Sequence, residues 1–193
     1  MGTRDRAPRY VGGYAVSVVM SPYASPIGML YLYAQDDCII RLDFVQSSAV
    51  TEIPLLEGVP EGRGGFVKYL TNRGVIEGYC QALDLLRREL DAYFAGALTA
   101  FTVPYRLYGT DFQRTVWERL KEIPYGQTVT YGQLAERIGK PRASRAVGGA
   151  NHNNPISIVI PCHRVVGAGG RLTGYGGGLD RKAFLLRLES GGQ

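Results

Sequence analysis

The 193 residues contain only three cysteines, Cys38, Cys80 and Cys162, widely spaced and without a C-x-x-C pair. An odd, scattered set excludes a disulfide framework and a cysteine-rich zinc site, and it fits a reducing cytoplasm. Histidine is scarcer still: with His152 and His163 alone, a four-ligand zinc site would need unusual help from carboxylates, and no metal is expected. There is no run of about 18 apolar residues, so no membrane-spanning helix and no membrane partner are expected. Residues 1–6 carry charge, and no signal-type apolar stretch follows them, so export is not indicated.

What is present is a soluble globular composition, 45 % apolar and 20 % charged, in a chain long enough for one large or two small domains. The charge is unevenly placed. Residues 108–193 hold 12 Lys or Arg against 6 Asp or Glu, whereas residues 1–107 hold 10 against 11, so the net +5 belongs to the second half. A basic half attracts polyanions in a salt-dependent way, and charge alone does not choose between DNA, RNA and a lipid surface.

Two domains are expected, residues 1–100 and 109–193, joined by residues 101–108. Residues 1–12 read as a mobile arm. Short β-rich runs over 15–20, 29–34 and 38–44 are separated by Ser25-Pro-Ile-Gly28 and Asp36-Asp37, the punctuation of antiparallel hairpins. Residues 46–78 have weak periodicity, and no structure is assigned to them. From Gly78 to Ala95 the spacing of Leu83, Leu86, Leu90 and Phe94 predicts a helix stopped by Gly96, read as a packing helix without chemistry. Pro104 keeps residues 102–108 extended.

Asp111 is placed to cap a helix reaching about Ile123, with Phe112, Val116, Trp117 and Leu120 spaced for burial and Pro124 ending it. The single tryptophan is therefore read as core. Residues 130–151 have the punctuation of a helix-turn-helix: Thr130 as cap, a helix over Tyr131–Ile138, a turn at Gly139–Arg142, and a second helix over Ala143–Ala150 carrying small residues. A plain helical hairpin fits the same spacing. The closing helix is expected over Asp180–Leu188, with Phe184, Leu185 and Leu188 inward, Arg181, Lys182 and Arg187 outward, and Glu189 at its end.

Reactive side chains gather in Ile158–Val166, Ile-Val-Ile-Pro-Cys-His-Arg-Val-Val. The run reads as a short apolar strand ended by Pro161, which cannot donate to a ladder. Cys162 would then be exposed beside a candidate base, His163, and a fixed cation, Arg164, both able to raise its thiolate fraction. The same residues also fit a buried small hydrophobe and a satisfied core histidine. The segment Gly167–Gly178, with seven glycines and no aliphatic run, must be a loop pressed against something.

Pro-Cys-His-Arg-Val-Val, preceded by Asn154-Pro155 and followed by Leu172-Thr-Gly-Tyr-Gly-Gly-Gly-Leu179, resembles the active-site signature of the bacterial-type O6-alkylguanine-DNA alkyltransferases. These repair proteins move an alkyl group from guanine onto their own cysteine. The Ser25-Pro-Ile-Gly28 turn and Leu90-Asp-Ala-Tyr-Phe-Ala-Gly96 are similar to the family's N-terminal domain. The resemblance implies an α+β fold: a ribonuclease H-like α/β N-terminal domain with a small antiparallel sheet, and a mostly helical C-terminal domain with the helix-turn-helix. It implies double-stranded DNA containing O6-alkylguanine as partner, no cofactor, and a monomer acting once per molecule, with cooperativity on DNA and O4-alkylthymine activity left open. Some relatives bind zinc in the N-terminal domain; no ligand set for it is seen here.

By the same resemblance Cys162 is the acceptor, His163 takes its proton through a water, and Glu189 fixes the His163 tautomer and stabilises its cation. Tyr131 donates to guanine N3, the Gly176 amide after Tyr175 holds O6, and the carbonyls of Cys162 and Val165 accept from the exocyclic amine. Asn154 ties the recognition helix to the active-site strand. Arg145 fills the stack vacated by the flipped nucleotide, and Ala143, Ser144, Gly148, Thr130 and Gln133 belong to the minor-groove face. Ser157 lies where some members carry proline and Gly176 where others carry serine, so methyl and small alkyl groups are the expected cargo. From the residues alone, Tyr131 is also an ordinary helix-start aromatic, Asn154 an Asn-Pro turn, and Arg145 a solvated charge.

Three other classes are weaker readings. A protein that recognises alkylguanine without repairing it would lack Cys162. A regulator activated by self-alkylation needs a cysteine-rich DNA-binding domain for which there is no room. A cysteine hydrolase is poorly matched by adjacent Cys and His beside a helix-turn-helix.

Overall fold

The computed structural model describes residues 10–11, 14–15, 18–44 and 75–191. The arm expected over 1–12, apart from 10–11, and the unassigned stretch 46–78, apart from its last residues, lie outside them. β1 (Tyr10–Val11) pairs antiparallel with β2 (Tyr14–Ala15). The main sheet has the order β5-β4-β3-β6, from β3 (Val18–Ser25), β4 (Gly28–Gln35), β5 (Cys38–Phe44) and β6 (Val75–Glu77). The strand expected over 15–20 thus starts at Val18 and runs to Ser25. β6 lies parallel to β3, so the sheet is mixed and not purely antiparallel. Asp36 and Asp37 both take positive φ, 49° and 55°, matching the two-residue hairpin between β4 and β5.

One face of the sheet is covered by α1 (Gln81–Phe94), whose Leu83, Leu86, Leu90 and Tyr93 are wholly buried. Each such side chain contributes about 1.5–3 kcal/mol relative to an exposed one. Cys80 supplies no side-chain cap; Asp37 Oδ1, from the β4–β5 hairpin, instead accepts from the Ala82 amide at 2.8 Å. Gly96, at φ 72°, stops the helix as expected. Residues 102–108 lie outside any helix, and Tyr105 bridges to Ile39 of β5: the Ile39 amide donates to Pro104 O and the Arg106 amide to Ile39 O, each at 2.8 Å.

α2 (Asp111–Leu120) is shorter than expected and is capped by Thr110. Asp111 is its first residue. Thr110 has the extended backbone a cap requires, and a reciprocal box with Gln113 satisfies both free amides. Trp117 is core, its Nε1 donating to Ala150 O at 2.8 Å. α3 (Tyr131–Arg137) and α4 (Ser144–His152) form the expected helix-turn-helix, Thr130 closing a second capping box with Gln133. β7 (Val129–Thr130) pairs in parallel with β8 (Val165–Val166), which brings the start of α3 beside the cysteine motif. α5 (Leu179–Glu189) closes the described chain. No helix among the described residues is long and apolar enough to cross a membrane.

Candidate active site

The backbone around Cys162 is not a strand running into a site. Ile158 has φ 75°, a strained value for a β-branched residue, and Ser157 bridges to Ile160, so 156–160 is a tight loop. Asn154 holds it from inside: its Nδ2 donates to Ile160 O at 2.7 Å and its Oδ1 accepts from the Ile156 amide at 3.1 Å. Ile156, Ile158 and Ile160 are wholly buried while Ser157 and Val159 are half-buried, an alternation that a sequence pattern does not distinguish from a strand. Pro161 leads into a 3-10 turn, Cys162–Arg164, and then β8. Asn154 is also joined to the recognition helix, its amide donating to Asn151 O at 3.3 Å, and Asn151 adds a second link, its Nδ2 donating to Cys162 O at 3.2 Å.

Cys162 is 2 % exposed, not open at a strand end. Burial raises its thiol above the ordinary value, against the opposing influence of Asn154, Ser157 and the Lys182 ammonium. Ser157 Oγ lies 3.9 Å from Sγ. The resting group is therefore a neutral thiol that needs a base.

That base is next in the chain. His163 is wholly buried, and its Nε2 lies 2.7 Å from Glu189 Oε1. Burial opposes ionisation of Glu189, but hydrogen bonds from His163, Arg164 and Tyr93 outweigh it and hold the carboxyl well below its usual range. An ionised carboxylate only accepts, so Nε2 carries the proton and Nδ1 is left with its lone pair. Nδ1 has no partner among the described residues. Burial lowers His163 below its ordinary value, with Glu189 acting in the opposite sense, and favours the neutral imidazole a base requires.

Arg164 does not face the cysteine, as adjacency suggested. Its guanidinium forks onto Glu189, Nε to Oε2 at 2.8 Å and Nη2 to Oε1 at 2.9 Å, and Nη1 donates to Ile123 O at 2.6 Å. Glu189 also accepts from Tyr93 Oη at 2.7 Å and the Gly126 amide at 3.2 Å. A carboxylate at a helix C-terminus opposes the helix dipole, and these donors offset that cost.

Lys182, expected outward, is fully buried. Its Nζ donates to Val165 O at 2.5 Å and Thr173 O at 2.6 Å, pinning the glycine-rich loop to the motif. Counting back from Glu189 by seven and four residues reaches Lys182 and Leu185, the buried face of α5, so a helical wheel anchored on the inward Glu189 would have found it. Arg181 is also held, donating to Ile27 O and Gly177 O. Tyr131 Oη lies 3.2 Å from both Thr173 O and Gly174 O, and Tyr175 is buried within electrostatic reach of Cys162. Gly176 is half-buried in the same loop.

The structure therefore gathers Tyr131, Asn154, Ser157, Cys162, His163, Val165, Tyr175 and Glu189 around one centre. Apart from Gly176 of the glycine-rich loop, the remaining sequence-selected residues lie on the helix-turn-helix: Arg145 is exposed on α4, while Ala143, Ser144 and Gly148 are partly covered. Thr130 and Gln133 are engaged with each other in capping α3. A Cβ on Gly149 would meet nothing within 4 Å, so α4 offers a small-residue surface to solvent. Among the described residues, no group of three or more His, Cys, Asp or Glu is placed to hold a metal.

Comparison with known proteins agrees across the chain. The family described as 6-O-methylguanine DNA methyltransferase matches with its ribonuclease-like domain over residues 18–107 and its DNA binding domain over 111–191. A methylated-DNA–protein-cysteine methyltransferase of Mycobacterium leprae is 60 % identical over 165 residues, covering 86 % of this chain and 88 % of that protein. One of Methanosarcina acetivorans is 43 % identical over 170 residues, covering 86 % and 95 %. The crystal structure of Mycobacterium tuberculosis OGT in complex with DNA superimposes with a TM-score of 0.73 at 41 % identity, covering 90 % of this chain and 93 % of that one. The chain belongs to the 6-O-methylguanine DNA methyltransferase family.

Proposed function

We propose that this protein repairs DNA by direct transfer of a methyl or small alkyl group from O6 of guanine to its own Cys162. The observation that carries the reading is a buried neutral thiol followed directly by a histidine whose Nε2 is held by an ionised Glu189, leaving Nδ1 as the acceptor. His163 takes the thiol proton through a water, sulfur attacks the alkyl carbon, and the carbon–oxygen bond breaks toward guanine. Tyr131 donates a hydrogen bond to guanine N3 and stabilises the negative charge that develops on the leaving base, and the proton taken by His163 passes through solvent to the released guanine, so one proton leaves sulfur and one arrives on the base. The Gly176 amide, after Tyr175, meets O6, and the Val165 and Cys162 carbonyls meet the exocyclic amine. Ser157 borders the alkyl group. The thioether is stable, so each molecule acts once.

The target atom lies inside the duplex, and reaching it requires flipping the nucleotide at a cost of a few kcal/mol. Arg145 fills the vacated stack, and Ala143, Ser144 and Gly148 let α4 approach the minor groove. Thr130 and Gln133 set the start of α3 there. Residues 1–100 and 109–193 act as two domains joined by 101–108, in the reducing cytoplasm that a free acceptor thiol requires.

Incubation with duplex DNA carrying O6-methylguanine, followed by intact mass and adduct mapping, tests this. One methyl on Cys162, absent in Cys162→Ser, is the expected result. Lesion binding with no mass gain would make the protein a recognition factor and overturn the reading.

A further inference from the structure

Tyr93 belongs to α1, the helix that the sequence marks as packing without chemistry, yet its hydroxyl ends on the carboxylate that holds His163. Glu189 Oε1 accepts from three donors: His163 Nε2 at 2.7 Å, Tyr93 Oη at 2.7 Å and Arg164 Nη2 at 2.9 Å. The tyrosine is wholly buried, its ring fixed by Phe94 and Phe101, with centroids at 5.4 Å, and by Tyr125 at 6.1 Å. Ring packing alone would be satisfied by phenylalanine; the hydroxyl has a separate purpose.

We propose that Tyr93 is a positioning residue of the alkyl-acceptor centre: its hydrogen bond to Glu189 lets the N-terminal half of the chain set the orientation of Glu189 and, through it, the basicity of His163. The inference rests on the reading of His163 and Glu189 as the proton relay. Burial, with Glu189 adding to it, raises the Tyr93 hydroxyl above its ordinary value, so it remains a donor throughout the working range. A donor shared on Oε1 draws charge from the oxygen that faces His163. Removing it makes Glu189 a stronger partner for the imidazolium and raises the pH at which His163 protonates. The other groups facing this pair are Lys182 from α5, Arg164 from the 3-10 turn and Tyr125, and none of them changes in the variant.

The test is the pH profile of single-turnover methyl transfer from O6-methylguanine duplex. Transfer requires neutral His163, so the rate falls on the acid side. In Tyr93→Phe that acid limb should move up by about half a pH unit or more. Phe94→Leu, which loosens the same aromatic cluster without touching Glu189, should lower thermal stability and leave the limb in place. Should Tyr93→Phe not fold, a fluorotyrosine installed at position 93 alone keeps ring and hydroxyl while strengthening the donor, and the limb should move down. A limb that stays at its wild-type pH in Tyr93→Phe, or in the fluorotyrosine protein where that is used instead, overturns the proposal whatever the absolute rate. Glu189→Gln separates the two levels: if it transfers as wild type, the relay reading itself fails, whereas impaired Glu189→Gln beside an unshifted Tyr93→Phe removes the inference about Tyr93 alone.

Discussion

Lys182 shows what one buried charge does to this site. Its ammonium reaches Val165 O and Thr173 O, and burial lowers it from the ordinary 10.5 to about 8, with Cys162 acting in the opposite sense. Two effects follow from removing it. Lys182→Met leaves two carbonyls without their donor, at about 1–3 kcal/mol for each that stays buried, which urea denaturation would read. It also removes a cation that favours the Cys162 thiolate, so the pH dependence of iodoacetamide labelling at Cys162 should move upward in the variant. The sign of the stability term is fixed by proton counts. Between about pH 8 and 10.5 the unfolded lysine binds more protons than the folded one, so wild type should gain stability relative to Lys182→Met as pH rises through that window. His163 and Glu189 act at the acid end: both are lowered on folding, and their contributions are lost as pH falls below the ordinary 6.5 and 4.5 of their unfolded forms.

At the scale of elements, the start of α3 and the turn before β7 carry the placement of the site. The box between Thr130 and Gln133 fixes where α3 begins, and Tyr131 is its first residue. Thr130→Ala should cost about 1 kcal/mol in denaturant unfolding. It should also slow methyl transfer several-fold, since Tyr131 loses its register against Thr173 and Gly174. Gly126 takes φ 74°, and a Cβ there would lie 2.8 Å from Glu189 O. Gly126→Ala therefore combines backbone strain with displacement of the last turn of α5, at about 1–3 kcal/mol, and disturbs the amide that binds Glu189. The helix-turn-helix was legible in the sequence because Thr130 and Gly139 punctuate a local pattern. By residue type either Thr110 or Asp111 can cap, and only the extended backbone at 110 distinguishes them. The loop at 156–160 reads as a strand in the sequence because its alternate isoleucines are buried, as in a strand, and only the positive φ at Ile158 sets it apart. Asn151, Tyr93 and the inward turn of Arg164 depend on partners up to 96 residues away, which spacing along the chain does not encode.

For the whole molecule the question is how a basic half becomes a repair surface. Backbone bonds join the halves: the Leu42 amide donates to Pro155 O at 2.9 Å, and Ile39 pairs with the 104–106 segment. The excess charge sits in the second half, where Lys140, Arg142 and Arg145 are exposed on the turn and the start of α4. Cations that meet phosphates and a cation that enters the base stack separate by salt and by substrate. Binding should weaken with salt, and Lys140→Ala or Arg142→Ala should each lower the slope of log affinity against log salt by about 1 if that residue contacts a phosphate. Arg145, proposed as the wedge, should behave differently. Arg145→Ala should leave the slope near its wild-type value and slow transfer on duplex DNA, where opening the stack is costly. On single-stranded DNA carrying the same lesion there is no pair to open, so most of the deficit should vanish. Equal slowing on both substrates, with a reduced salt slope, would place Arg145 among the phosphate contacts and leave the flipped base to be held by the Tyr131 and Tyr175 side of the site.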